Sequence, residues 1–469
     1  MLLLPLAPVL VALALSLARR SALLTSAAGA LAAVVICAVA YPLTPGQIAE
    51  ATRQWAPVMI EVLAIVFGGL LLSEAMRRTG RQDVIASWLG RTLGTGTPAA
   101  LAVLHGVTPF AESVTGFGIG VTLAIPLLLH LGFSSRRAAT IGLLGLCTVP
   151  WGSMAPGTLI AASLSGIGFQ PLGVGSAIAS GPVFIGVGLV VATLTSPPGA
   201  RARNLAAATA SGATLWASIL VANLLLGTPV AGAVGALLTL VAHLLVHRLR
   251  GARIVVTRAL AAAASPYAVL LGGILIATAL LDATRAGGPW HYLASPAIWL
   301  PLSVAATLRG RDLAGAVAAT ARRWLPVGPA NGLFLLLGVV MAVSGMAAAI
   351  ARAVAQLGPA YVLPLGFLAA LGGWLTGSNA AANAMFAAPQ SEIIRLLGLP
   401  ALIAMSVHNV CSSLFMMASP AKIELAAQLC PEPAEGRRAG RTVTITALVI
   451  TGVLSLGLGL LTLSPTMPR

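Results

Sequence analysis

The chain has 469 residues, of which 58% are hydrophobic and only 8% charged, and its mean hydropathy is +0.97; an ordinary soluble domain carries about 25% charged residues. This excludes a soluble globular fold, which has no polar surface to cover so apolar a chain. It also makes the net charge of +16 a matter of membrane orientation rather than of nucleic-acid binding.

Residues 2–18 are apolar, but Arg19 and Arg20 follow the run instead of preceding it. That order is the reverse of a secretory signal, so the segment is expected to be retained with Met1 outside. Further apolar segments run over 21–40, 56–76, 99–132, 138–168, 172–195, 204–225, 229–247, 259–281, 290–308, 325–349, 360–397, 399–418 and 442–463, each of roughly bilayer-crossing length or longer. The 99–132 and 360–397 segments are too long for one crossing. Both are broken midway by small and polar residues, Thr-Gly-Phe-Gly-Ile-Gly at 115–120 and Gly-Ser-Asn-Ala-Ala-Ala-Asn at 377–383.

Positive charge decides between crossing and re-entry. If both long segments are hairpins, 22 of the 27 basic residues fall on one side, and only Arg53, Arg285, Arg352, Arg395 and Arg469 on the other. Reading either as a single crossing would invert the loops beyond it and destroy this segregation. The expectation is an all-α polytopic membrane protein, one transporter domain over 1–469 with twelve spans and two re-entrant helical hairpins. Each hairpin is preceded by a span and an amphipathic stretch (82–94 and 349–358) and followed by a broken span. A first repeat over 56–168, its hairpin 99–132 entered from the cytoplasm, thus corresponds to a second over 325–418, its hairpin 360–397 entered from outside. Inverted-topology repeats with broken helices mark secondary transporters.

Non-helical backbone at membrane depth must be buried in protein or line a cavity. The hairpin breaks and two further interruptions, expected at 150–157 and 408–413, are therefore expected to meet. Their small polar groups, with half-helix N-termini, can bind an anion without arginine: Ser113, Thr115, Gly116, Gly118, Ser153, Gly377, Ser378, Asn379, Asn383, His408, Asn409 and Ser412. Glu112, an ionisable group deep in an apolar segment, is expected to carry a proton, with His408 as a second proton-coupling group. Glu61 and His105 lie farther from the breaks, and His243 and His247 are read as interfacial. No Rossmann or P-loop context surrounds the glycines. Cys37, Cys147, Cys411 and Cys430 form no CxxC pair, so packing is their expected role; no cofactor or metal is expected.

These same residues carry a family resemblance. Glu-Ser-Val-Thr-Gly-Phe-Gly-Ile-Gly-Val-Thr-Leu-Ala-Ile-Pro at 112–126, Thr-Gly-Ser-Asn-Ala-Ala-Ala-Asn-Ala-Met-Phe at 376–386 and Val-His-Asn-Val at 407–410 resemble, in order, three motifs of the L-lactate permease family. The resemblance implies proton-coupled uptake of 2-hydroxy monocarboxylates such as lactate and glycolate. It also implies a transport domain moving against a scaffold, a homodimer, and residence in a bacterial inner membrane. The sequence departs from the family pattern at Ile119-Gly120 and at Cys-Thr-Val-Pro-Trp-Gly-Ser over 147–153, where Trp151 would alter the pocket if the break lines it. Expected partners are protons, a small organic anion and membrane lipid, with no nucleic acid. Sodium coupling through hard oxygen ligands or an uncoupled facilitator are the alternatives; a membrane enzyme lacks the paired acids or His-rich helix it would need.

Overall fold

A computed structural model describes residues 3–285 and 288–463. In chain order the helices are α1 (Leu3–Leu17), α2 (Ala22–Ala40), α3 (Pro45–Arg78), α4 (Arg81–Thr92), α5 (Gly96–Ala102), α6 (Thr108–Thr115), α7 (Ile119–His130), α8 (Ser135–Leu144), α9 (Pro156–Ser165), α10 (Phe169–Ala179), α11 (Gly181–Thr195) and α12 (Arg201–Leu226). They continue with α13 (Thr228–Leu249), α14 (Arg258–Thr284), α15 (Pro296–Ala305), α16 (Gly310–Trp324), α17 (Gly328–Val343), α18 (Met346–Val354), α19 (Val362–Thr376), α20 (Asn379–Leu396), α21 (Ala401–Met416), α22 (Pro420–Gln428) and α23 (Pro433–Leu463). A π-helical turn, Val103–Val107, joins α5 to α6, and a 3₁₀ segment, Gly145–Met154, continues α8. The described residues contain no strand.

Local sequence explains the helix starts. Thr44 accepts from the Gln47 amide while the Gln47 side chain accepts from the Thr44 amide, and Pro45 opens α3, a capping box with proline at the first helical position. Ser21, Thr257, Ser295, Ser378 and Ser419 cap α2, α14, α15, α20 and α22 by accepting a first-turn backbone N–H with the side-chain hydroxyl.

Both long segments fold as helical hairpins, α5–α6 against α7 and α19 against α20. Each has a break shorter than expected: Gly116–Gly118 in the first and Gly377–Ser378 in the second. Asn379 and Asn383 therefore stand on the first turns of α20 rather than in a loop. The span after the first hairpin bends by 70° between Ser135–Met154 and Pro156–Ser165. The expected break at 408–413 is absent, because α21 runs unbroken to Met416. Ser412 and Ser413 donate back to the Asn409 carbonyl at 3.1 and 2.7 Å, which keeps their hydroxyls compatible with a helix. The interruption falls instead at Met417–Ser419, before α22.

The order α3, α4, hairpin, broken span recurs as α17, α18, hairpin, α21–α22, the inverted-topology repeat. Nine helices or continuous helix runs among the described residues are long and apolar enough to cross a membrane, or eleven if each bent pair is one span. Two expected spans, 2–18 and 290–308, are shorter than the roughly 20 residues of a straight crossing. The first forms the 15-residue α1, and the second splits into a 3₁₀ turn, Gly288–Ala294, and the 10-residue α15.

Three apolar cores hold the helices. One joins the first hairpin, the bent span and α10–α13 to α19, α21 and α23; a second joins α1, α2, α9, α17, α18 and α20; a third joins α3 to α14, α15 and α16. At one end of α3 the Glu74 carboxylate, 1% exposed, binds Arg77 and Arg78 at 2.7 Å, with Arg323 of α16 at 3.7 Å. The arginines are 35–64% exposed, so solvent screens much of the attraction. Glu74→Gln is expected to lower stability by about 1–2 kcal/mol, less than for a fully buried pair, read as a lower unfolding midpoint in detergent; an unchanged midpoint would show the cluster to be energetically neutral.

Candidate functional site

The two hairpin tips and the two span breaks meet, and glycines let them touch. A Cβ on Gly116 at the first tip would lie 2.5 Å from the Ser153 Cβ in the bent span, and one on Gly118 would lie 2.9 Å from the Lys422 Nζ at the start of α22. At the second tip, a Cβ on Gly377 would lie 3.0 Å from the Ser419 Oγ, and one on Gly157 would lie 2.6 Å from the Asn379 Nδ2. Each tip thus contacts both breaks. From α3, Gly69 passes the first tip so closely that a Cβ there would meet the Thr115 carbonyl at 2.7 Å.

The backbone here is strained as well as interrupted. Ser153, Met154 and Ala155 take φ of 53°, 63° and 71°, and Phe117 takes 58°, conformations costly for residues with a side chain. The first three are at most 4% exposed, so surrounding packing holds them.

At the first tip the Glu112 carboxylate, 2% exposed, occupies the amide groups that open α7. Gly118 N–H donates to both Glu112 oxygens, at 3.0 and 3.1 Å, and Gly120 N–H donates to Oε2 at 3.1 Å. This helix N-terminus, expected to receive a foreign anion, is held by the chain's own carboxylate. Thr115 donates its hydroxyl to the Ala111 carbonyl, while its own carbonyl accepts from Ser153 at 3.5 Å. Ser113 is buried without a hydrogen-bond partner and faces Gly232 of α13.

The second tip supports an amide and hydroxyl network. Asn409 Oδ1 accepts from Asn379 at 3.2 Å and from Asn383 at 2.9 Å, and Asn409 Nδ2 donates to Thr158 at 2.9 Å and Ser176 at 3.0 Å. Asn383 also donates to the Gly157 carbonyl at 3.0 Å, and Ser412 to Asn379 Oδ1 at 2.6 Å. One buried cluster thereby ties α20 and α21 to α9 and α10. His408, adjacent to Asn409 in sequence, is fully buried with neither ring nitrogen bonded and takes no part in this network, since successive helical residues point about 100° apart.

Several residues sit elsewhere than the sequence suggests. Trp151 packs against Phe184 and Gly232 and donates to Asn223 at 3.4 Å, so it faces α12 and α13. His105, in the π turn, and His243 both bond the Ser211 hydroxyl at 2.7 Å, which ties the half-buried His243 to the buried His105. The four cysteines are free and buried. Lys422, grouped by sequence with cytoplasmic-loop charges, lies at the first hairpin tip. Its status as the single lysine among 27 basic residues was the available signal; nothing local in sequence distinguishes Thr158 and Ser176. Among the described residues no cluster of histidine, cysteine and acidic groups could hold a metal.

A cavity of about 210 Å³ reaches the bent span from the side of α3, α14 and α15. Glu61, Met154, Ala155, Pro156, Gln170 and Ser295 line it, and Ser295 donates to Glu61 at 2.5 Å. At about 30 Å³ of liquid volume per water, it has room for a small hydroxy acid.

The crystal structure of the YdaH transporter from Alcanivorax borkumensis, which has an unusual topology, is similar to this fold. Its TM-score is 0.50 at 15% sequence identity, over 89% of this chain and 87% of that one. No curated protein sequence matches the chain. The sequence profile of the L-lactate permease family matches residues 2–277 and 302–460. A multi-pass membrane permease is what the converging hairpins and this match describe together, and the chain belongs to the L-lactate permease family.

Proposed function

We propose that the protein is a secondary active transporter that couples inward proton movement to symport of a small organic anion, a 2-hydroxy monocarboxylate such as lactate or glycolate. The observation that carries this reading is the meeting of a buried carboxylate, Glu112, with two hairpin tips and two helix breaks, the first of which a cavity reaches. An intramembrane acid set among interrupted helices is an expensive feature, and transport is what it is used for.

In this reading Glu112 carries the proton. Carboxylate and hydroxyl are bound by the second-tip groups Gly377, Ser378, Asn379 and Asn383, by Asn409 and Ser412 of α21, by the first-tip groups Ser113, Thr115 and Gly116, and by Ser153 of the bent span, with Gly118 holding Glu112 in place. His408, buried and unbonded, is a second proton acceptor. The repeats are 56–168 and 325–418, and the tips move as part of an elevator-like transport domain. The protein acts in a bacterial inner membrane with its N-terminus outside, as a homodimer, and without catalysing a chemical reaction.

Wild-type proteoliposomes are expected to accumulate labelled lactate or glycolate when the outside is acidic, equally in sodium and potassium buffers. Strict sodium dependence would replace the proton, and failure to accumulate solute against a gradient would make the protein a facilitator. Asn409→Ala strands the hydrogen-bonding groups of Asn379, Asn383, Thr158 and Ser176. It is expected to cost about 1–3 kcal/mol of stability and to reduce uptake at least tenfold; wild-type uptake in a well-folded variant would remove the amide cluster from the site.

A further inference from the structure

The Lys422 ammonium is the cation at the first hairpin tip, and it is uncommitted. It stands over Gly118, within electrostatic range of the Glu112 carboxylate. Among the described residues it forms no ion pair, and only its backbone N–H, bonded to Ser419, makes a hydrogen bond as a donor. The side chain is partly exposed, and its Nζ is not among the sealed, unpartnered atoms.

Other charges around the pair are already engaged or distant. On α22 itself Glu424 is held by Arg437 of α23, and on α23 Glu435 pairs with Arg438. Arg136 and Arg137 of α8 line a separate pocket with Thr442. On α7 His130 lies at the far end, against Gly90. Around Glu112, His105 and His243 bond Ser211, Glu61 of α3 bonds Ser295, Glu74 is held by its arginines, and the Gly145–Met154 segment offers only the Cys147 thiol. Glu112 is therefore the acidic group left within electrostatic range of Lys422.

We propose that Lys422 is a shared cation: it balances the Glu112 carboxylate when no anion is bound, and binds the carboxylate of the carried anion once Glu112 has taken a proton. This rests on the proton-coupled reading above and assigns to it the group that recognises the substrate's charge. The hydrogen-bond geometry allows it. Gly118 N–H is shared between both Glu112 oxygens while Gly120 N–H goes to Oε2 alone, so a proton can settle on Oε1 with both amides still bonded to Oε2. The step is balanced: the Glu112 carboxylate gains one proton, one anion arrives, Lys422 stays protonated, and the local charge is zero before and after. Protonating Glu112 removes the nearby negative charge from Lys422, so it raises the affinity for the anion.

The test is equilibrium binding of labelled L-lactate to purified protein between acid and alkaline pH, alongside proteoliposome uptake. Wild-type affinity is expected to weaken as the pH is raised, by up to about tenfold per pH unit, as one linked proton requires. Glu112→Gln is expected to bind lactate with a flat pH profile and to lose gradient-driven accumulation. Lys422→Met is expected to lose lactate binding at least tenfold at every pH, Lys422→Arg to retain it, and the double variant to match Lys422→Met. Wild-type binding and pH slope in a folded Lys422→Met protein would overturn the proposal while leaving the function reading standing. If Lys422→Met does not fold, an unchanged pH slope in Glu112→Gln still overturns the shared cation, and loss of lactate binding in Lys422→Gln supports it. A wild type that neither binds nor transports any 2-hydroxy acid overturns the function reading, and the shared cation with it.

Discussion

Every broken helix at membrane depth leaves backbone N–H and C=O groups with no water to bond, and the rest of this structure follows from how those groups are satisfied. The chain interrupts itself at Gly116–Gly118, Met154–Pro156, Gly377–Ser378 and Met417–Ser419 and brings all four places together. Glu112 takes up the free amides of α7, Asn383 takes the Gly157 carbonyl, and Ser378 and Ser419 cap the helices they precede. In the proposed symport, the same groups that repair the breaks are those the carried solute meets.

The two halves solve this problem differently. The first tip is electrostatic, with a carboxylate on helix amides and an ammonium beside it. The second tip is neutral, with three asparagines and several hydroxyls exchanging hydrogen bonds. A neutral network keeps its bonds at any proton load, whereas the charged tip changes with protonation. A division between a proton-sensitive half and a solute-orienting half is the chemical logic of the proposed symport.

Much of this was legible in the sequence because its cause is local or statistical. Apolar runs of crossing length, the segregation of arginine, and the glycine and asparagine clusters predicted the hairpins at 99–132 and 360–397. Both exist as helices packed against each other across a short break. Segment length was misleading at 2–18 and 290–308, where apolar residues form helices too short to cross alone. His-Asn-Val-Cys-Ser-Ser at 408–413 looks like a break by composition, yet Asn409 finds four partners across helices and the serines bond backward, so the helix continues. Trp151 lies just before a break but packs toward α12 and α13.

The sequence by itself determined the membrane class, the paired hairpins, the family motifs and the prominence of Glu112, because hydropathy, charge count and the cost of a lone acid in an apolar run need no knowledge of neighbours. Only the tertiary structure decided which groups meet. Lys422 lies 310 positions from Glu112 in the chain and reads as a loop charge, and Thr158 and Ser176 are ordinary hydroxyls until Asn409 reaches them. Those encounters depend on the packing of distant helices, which residue order encodes only through the whole fold.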